Sequence, residues 1–450
     1  MHSSTKMLFR KYLYVVLMVS VGLAAKAQQA DTASNVYNLQ KCLSIAIKNN
    51  LTVQQDSVTA ERARIALLQS KENMIPSLSG NVGRYITTGR TINPVTNTYV
   101  NQSVSYDNYT LGGNVTIFNG LAYQSAIKQA SLAFQAGKMN FKAAKDIVTV
   151  NVITSYLQVL DAIQQLSAAK NALDLAKSQD DRGELLEKEG NNLTASTIYD
   201  LRGSLQQANV SYVTAQNNVN SAMLSLFQVM NIPYDKSATL APLNAQDLQG
   251  DKDSNPEAIY QTALDNLAEI KAATLQRQSA EKEVKYYRGL LYPSLVGGYG
   301  LSTNYSNSNQ SSYSDQFRNN YGTQISLGLS IPIFTNGTRR NALSNAKLDL
   351  LNNKHLEDNT KIVVRQNIEQ AYYNMMSAYN RYQALDAEVK AYAESFRISK
   401  LRFEAGILNS VDYITSKNNM ESATYSFIAA QYDYLVYSKI LDYYQGKLSF

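Results

Sequence analysis

Apolar residues alternate with small or polar ones in two separated regions of the chain. Leu78, Gly80 and Val82 face Ser79, Asn81 and Gly83, and further on Leu111, Gly113, Val115 and Ile117 face Thr110, Gly112, Asn114 and Thr116. The pattern returns with Ile325, Leu327, Leu329, Ile331 and Ile333 on one face and Gln324, Ser326, Gly328 and Ser330 on the other. A period of two is the strand signature, and about ten residues is also the length of a tilted membrane-crossing strand. A half-buried soluble hairpin fits the same alternation, because the barrel signal is weak in any one segment.

Between these regions the period changes to that of a helix. Leu43, Ala46, Ile47, Leu51, Val58, Ala66 and Leu67 predict a helix from about Leu39 to Asn73, stopped by Pro76, which lacks an amide donor and biases its predecessor away from helix. Ile153, Tyr156, Leu157, Leu160, Ile163, Leu166 and Leu173 recur at three and four spacing within a proline-free stretch that predicts a long helix over 120–188. At ~1.5 Å per residue that is roughly 100 Å, so it needs partners along its length. A glycine-ended turn at Gly190 leads into a return helix from about Thr194 to Met230.

The plan is then written a second time. Pro293-Ser294-Leu295 repeats Pro76-Ser77-Leu78, and Ile333-Phe334-Thr335-Asn336-Gly337 repeats Ile117-Phe118-Asn119-Gly120. A long helix over 338–404, a turn at Gly406 and a return helix over about 409–446 follow. A repeat of this length governs the reading of the whole chain. Residues 28–231 form the first repeat with hairpin 77–118, 232–255 a polar linker or equatorial segment, and 256–450 the second repeat with hairpin 294–334. Ala, Ser, Asn, Gln and Tyr fill much of the long helices where a soluble coiled coil would carry a firm apolar seam.

The N-terminus changes where this architecture is expected. Lys6, Arg10 and Lys11 precede an apolar run from Tyr12 to Ala25, and Ala25-Lys26-Ala27 fits a signal-peptidase site, so residues 1–27 read as a secretory signal peptide. With Lys26, that segment holds four of the 42 basic residues and none of the 36 acidic ones. The remainder is thus nearly neutral, without the basic patch that nucleic acid would require. No run of 18 apolar residues follows, so a membrane crossing would have to use strands. Tyr is abundant, at 32 residues, and Trp absent. Tyr suits a membrane–water boundary.

Catalysis has little to stand on. Beyond the signal one His remains, His355, and one Cys, Cys42, so a His-based triad, a His-rich metal site and an internal disulfide lack their residues. No GxGxxG, GxxxxGK[ST] or HExxH occurs. The chain reads as a non-enzyme without a cofactor.

Four strands cannot close a barrel in lipid, whose smallest examples have eight, and an open edge there would leave backbone groups unpaired. Strands in a membrane therefore require oligomers. Two chains give eight strands and three give twelve, of which only the larger leaves an aqueous passage of useful width.

The tandem repeat, both Pro-Ser-Leu entries, the Phe-Asn-Gly and Phe-Thr-Asn-Gly exits and the turns at Gly190 and Gly406 together resemble the TolC-like outer membrane efflux protein family, over essentially the whole chain after the signal. The resemblance implies a mostly α fold with β: a long α-helical barrel joined to a transmembrane β-barrel, four strands per chain and twelve per homotrimer. It further implies a place in the outer membrane among its lipid, with a large periplasmic portion. The partners implied are a periplasmic adaptor and an inner-membrane pump, in tripartite efflux or type I secretion. The family narrows its periplasmic end with acidic residues after the second glycine turn. Asp412 matches the first such position, Thr415 falls where a second Asp can occur, and Asp200 is the acid of the corresponding stretch in the first repeat. The adaptor would meet the tips at Glu189, Gly190 and Asn191 and at Gly406, Ile407 and Leu408. The rival reading is a secreted, soluble helical scaffold whose hairpins cap coiled coils without forming a channel.

Overall fold

The computed structural model describes residues 35–92, 96–101, 103–189, 194–243 and 255–447. The signal peptide, Gly190, Asn191 and residues 244–254 of the linker lie outside them. In chain order, the elements are β1 (Val36–Tyr37), α1 (Leu39–Asn49), α2 (Leu51–Glu72), β2 (Ser79–Thr87), β3 (Arg90–Ile92), β4 (Tyr99–Asn101), β5 (Val104–Phe118), α3 (Ala122–Lys188), α4 (Ala195–Val229) and β6 (Thr239–Leu240). The second half holds α5 (Pro256–Asn266), α6 (Ala268–Gly289), β7 (Ser294–Ser306), α7 (Tyr313–Asn319), β8 (Gly322–Ser330), α8 (Thr338–Glu404) and α9 (Ser410–Tyr444).

Several elements differ from their sequence patterns for local reasons. The helix expected over Leu39–Asn73 is two helices, because Asn50 turns extended and its side chain accepts the Val53 amide to start α2. The corresponding helix of the second repeat breaks at Leu267, also extended but with no side-chain cap. Ile331 and Ile333 keep the alternation but lie beyond the end of β8. The polar loop of the first hairpin carries the small β3–β4 ladder, and that of the second carries α7. α3 contains an 18-residue window of mean hydropathy 1.2, as apolar as a spanning helix. Half of that window is buried. Val152, Tyr156 and Val159, on the same helix, are almost wholly enclosed by protein.

The chain folds into two compact units that each draw on both sequence repeats. Of the described residues, unit 1 takes those within 1–46, 151–249 and 383–432, and unit 2 those within 47–150, 250–382 and 433–450. In unit 2, Ile259, Ala263, Ile270, Val364, Ile368 and Met375 form an apolar core. Beside it Glu357 is buried among Arg277, at 2.5 Å, Lys361, at 2.7 Å, and Thr274, at 3.1 Å. A buried carboxylate persists only with such partners.

Unit 2 also contains a four-stranded antiparallel sheet in the order β2-β5-β7-β8. Its register gathers Val82, Leu111, Leu301 and Ile325 onto one face with Leu295, Leu327 and Leu329. The opposite face carries Asn81, Asn114, Ser302, Gln324 and Ser326 with several glycines. The apolar face is bare in the single chain: Ile325 is 89%, Leu327 72% and Val82 76% exposed. Gly113 allows the closest backbone approach, since a Cβ there would meet the Ser77 carbonyl at 1.7 Å.

In unit 1, β1 and β6 pair in parallel, and the Tyr156 hydroxyl donates to the Ala241 carbonyl at 2.5 Å. Leu201, Phe396 and Tyr413 centre a second core, joined by Leu175, Phe403 and Leu408.

Candidate functional site

The turn between α8 and α9 is built from backbone chemistry. Gly406 sits at φ +73° with open space around its Cα, so its glycine is required by conformation and not by crowding. Its amide donates to the Phe403 carbonyl and that of Ile407 to the Arg402 carbonyl, a Schellman closure of α8. Ile407 is 78% exposed, Glu189 is exposed and Leu408 partly covered.

α9 then opens on a reciprocal cap. The Asp412 amide donates to Asn409 Oδ1 at 2.8 Å, and Asn409 Nδ2 donates to Asp412 Oδ2 at 2.9 Å. A carboxylate in the first helical turn also meets the positive end of the helix dipole. Asp412 and Thr415 are both exposed and, three residues apart, share one side of α9. Asp200 is half-buried and occupied elsewhere, its Oδ2 accepting from Ser410 Oγ at 2.9 Å. The structure thus brings Asp412 and Thr415 together and ties Asp200 to the start of the same helix.

Behind this surface lies a polar interior that sequence reasoning missed. Arg182 donates to the Glu404 carbonyl at 3.0 Å and reaches the Glu404 carboxylate at 3.5 Å, capping the end of α8. A cavity of about 490 Å³ opens beside it, lined by Gln179, Arg182, Leu201, Phe403, Leu408 and Ser410 among others. Tyr413 stacks on Phe403 with ring centres 4.6 Å apart. Burial, then the nearby Glu404 and Glu421, push its hydroxyl far above the usual range. Lys417 is 2% exposed, 3.3 Å from Glu421 and 3.4 Å from Ser204 Oγ. Burial raises the Glu421 carboxyl and Lys417 partly offsets that rise. A signal for Lys417 was available: at the spacing of the two turn glycines it corresponds to Leu201, itself buried.

Among the described residues no group of three or more His, Cys, Asp or Glu could hold a metal ion.

Residues 259–444 match the model of the outer membrane efflux protein family. TolC of Escherichia coli K12 is 23% identical over 309 residues, covering 66% of this chain and 61% of TolC, so that match spans less than two thirds of the relative. BepC, an outer membrane efflux protein of Brucella suis biovar 1, is 22% identical over 96% of this chain and 89% of its own length. The solved CmeC outer membrane channel of Campylobacter jejuni superposes with a TM-score of 0.76 at 18% identity, covering 92% of this chain and 86% of that one. The second half of the chain thus carries the pattern of the outer membrane efflux proteins, and the chain as a whole is similar to them in sequence and fold.

The chain is mostly α with a β-domain, and its relatives indicate a place in the outer membrane with a large periplasmic portion and no enzymatic role. That location sets the soluble scaffold aside.

Proposed function

We propose that this protein is a homotrimeric exit duct that passively conducts substrates from a periplasmic adaptor and an inner-membrane pump to the exterior, in tripartite efflux or type I secretion. One observation carries the reading. Among the described residues β2 and β8 each pair on one side only, while the sheet turns Ile325, Leu327 and Leu329 outward. Unpaired edges in hydrocarbon cost several kcal/mol per backbone group, and closure with further copies removes them. Three copies supply twelve strands and a water-filled lumen lined by the polar face.

In unit 1 Asp412 and Thr415 line the closed aperture, three copies of each, and Asp200 holds α9 in place through Ser410. A ring of carboxylates concentrates cations and repels anions. The adaptor contacts the tips at Glu189, Gly190, Asn191, Gly406, Ile407 and Leu408. Relatives include an alkaline protease secretion protein of Pseudomonas aeruginosa as well as efflux proteins, and the duct serves either use because the pump selects the cargo.

The test is to express the full chain in a Gram-negative envelope, extract the outer membrane and measure mass by size-exclusion chromatography with light scattering. Detergent-requiring, heat-modifiable trimers are expected. A soluble monomer or dimer overturns the reading.

A further inference from the structure

The outward face of the sheet is not uniform. Near the hairpin loops α7 folds across it: Thr303 Oγ1 donates to the Phe317 carbonyl at 2.6 Å, and the Tyr109 and Tyr313 hydroxyls meet at 2.6 Å. Tyr109 and Phe317 pack edge to face with centres 5.6 Å apart. Between α7 and strands β2, β5 and β7 this leaves a recess of about 430 Å³, walled by Val82, Tyr109, Leu111, Leu301, Phe317 and Tyr321. That is within the roughly 300–1,000 Å³ range of ligand clefts.

One charge stands at the loop-side end of the recess. Arg84 follows Val82 on the same face of β2, about 7 Å along the strand. Its Nε and Nη2 donate to the two oxygens of Asp107, both at 2.6 Å, a fork that does not use Nη1. Asp107 is buried, whereas 63% of the Arg84 side chain is exposed. The pair therefore presents a fixed guanidinium edge outward above an apolar hollow.

The geometry points to a binding site for a phosphorylated, acylated lipid of the outer leaflet, with an acyl chain in the recess and a phosphate on Arg84. Four observations select this occupant. Leu301 in the recess wall lies on the same sheet face as Ile325, Leu327 and Leu329. The helices leave the sheet at its other end, which puts the loops, α7 and Arg84 on the exterior side. A guanidinium edge complements a phosphate. A further copy of the chain would join through the backbone edges of β2 and β8, while the recess lies over the sheet face with β5 at its centre. The proposal rests on the outer-membrane location and is independent of conduction.

The experiment uses the full chain in detergent, stripped of lipid and titrated with diphosphoryl lipid A, the same lipid with both phosphates removed, and inorganic phosphate. Bound lipid is counted by native mass spectrometry. Lipid A should bind about tenfold more tightly than its phosphate-free form, the scale of one charged hydrogen bond. The double variant Arg84→Gln, Asp107→Asn, which leaves no buried carboxylate orphaned, should erase that difference. Val82→Trp fills the recess and should weaken both lipids about tenfold, whereas Leu327→Trp, on the same face outside the recess, should not. Equal affinity for the two lipids, or equal effects of the two Trp variants, would reduce the site to ordinary lipid contact and overturn the proposal. Inorganic phosphate that displaces lipid A at equal concentration would overturn it in favour of a free-anion site. If Val82→Trp fails to assemble, the comparison of the two lipids on the unaltered protein decides.

Discussion

Asp412 closes a helix cap and also presents charge on an exposed face, so replacing it tests two things unless the cap is preserved. Asp412→Asn keeps an oxygen for Asn409 and removes the charge. In planar bilayers it should lower cation preference while stability from thermal melting stays within about 0.5 kcal/mol of wild type, the usual range for a surface change. Unchanged selectivity would remove Asp412 from the aperture. Glu269 makes a different prediction. Burial raises its carboxyl above the ordinary value of 4.5. A raised folded-state pKa means that its contribution is fully present below the unfolded pKa and is lost as pH rises through the folded one. Glu269→Gln should therefore melt higher than wild type at pH 7.5 and converge with it near pH 4, by calorimetry in detergent. A constant offset at both pH values would show that the effect is packing alone.

At the scale of elements, each strand has two sides that should tolerate charge differently. Leu327→Lys places an ammonium on the bare apolar face, where a lysine in hydrocarbon costs about 2–4 kcal/mol at mid-depth. Ser326→Lys puts the same charge on the polar face one residue away. The first should abolish the heat-modifiable form on gels and the second should retain it. Loss of both would contradict the assignment of faces. Helix starts are a gentler case. Asn50→Ala removes the acceptor of the Val53 amide and should cost about 1 kcal/mol. Leu267, at the equivalent break, has no side-chain cap to lose.

For the whole molecule, the open edges β2 and β8 are the decisive feature. Cysteines scanned along 79–87 and 322–330 in pairs should yield oxidised trimers on denaturing gels at one register. Background is low, because the native Cys42 is buried and its thiol raised to about 11 by that burial. No cross-linked trimer at any register would reject edge-to-edge closure. The two compact units matter here too, since each combines segments of both repeats. Long helices such as α3 and α8 contribute residues to both units.

Much of this was legible in the chain because it is local. Two-residue alternation marks strands, three-and-four spacing marks helices, proline stops a helix and glycine permits the left-handed turn at Gly406. These rules act over a few residues and need no partner to be read. Repetition of the whole plan then gave the architecture. What only the tertiary structure decided are contacts between residues far apart in sequence. Only the repeat, which aligns Lys417 with buried Leu201, hints at its burial, and its contact with Ser204 comes from packing alone. Asp200 reads as an acid at a turn, yet Ser410, 210 positions away, occupies it. The placement of α7 over β5 and β7 follows from Thr303 and Tyr109, and with it the recess beneath Arg84. Local spacing sets what an element is, and packing sets which of its faces meets water, lipid or protein.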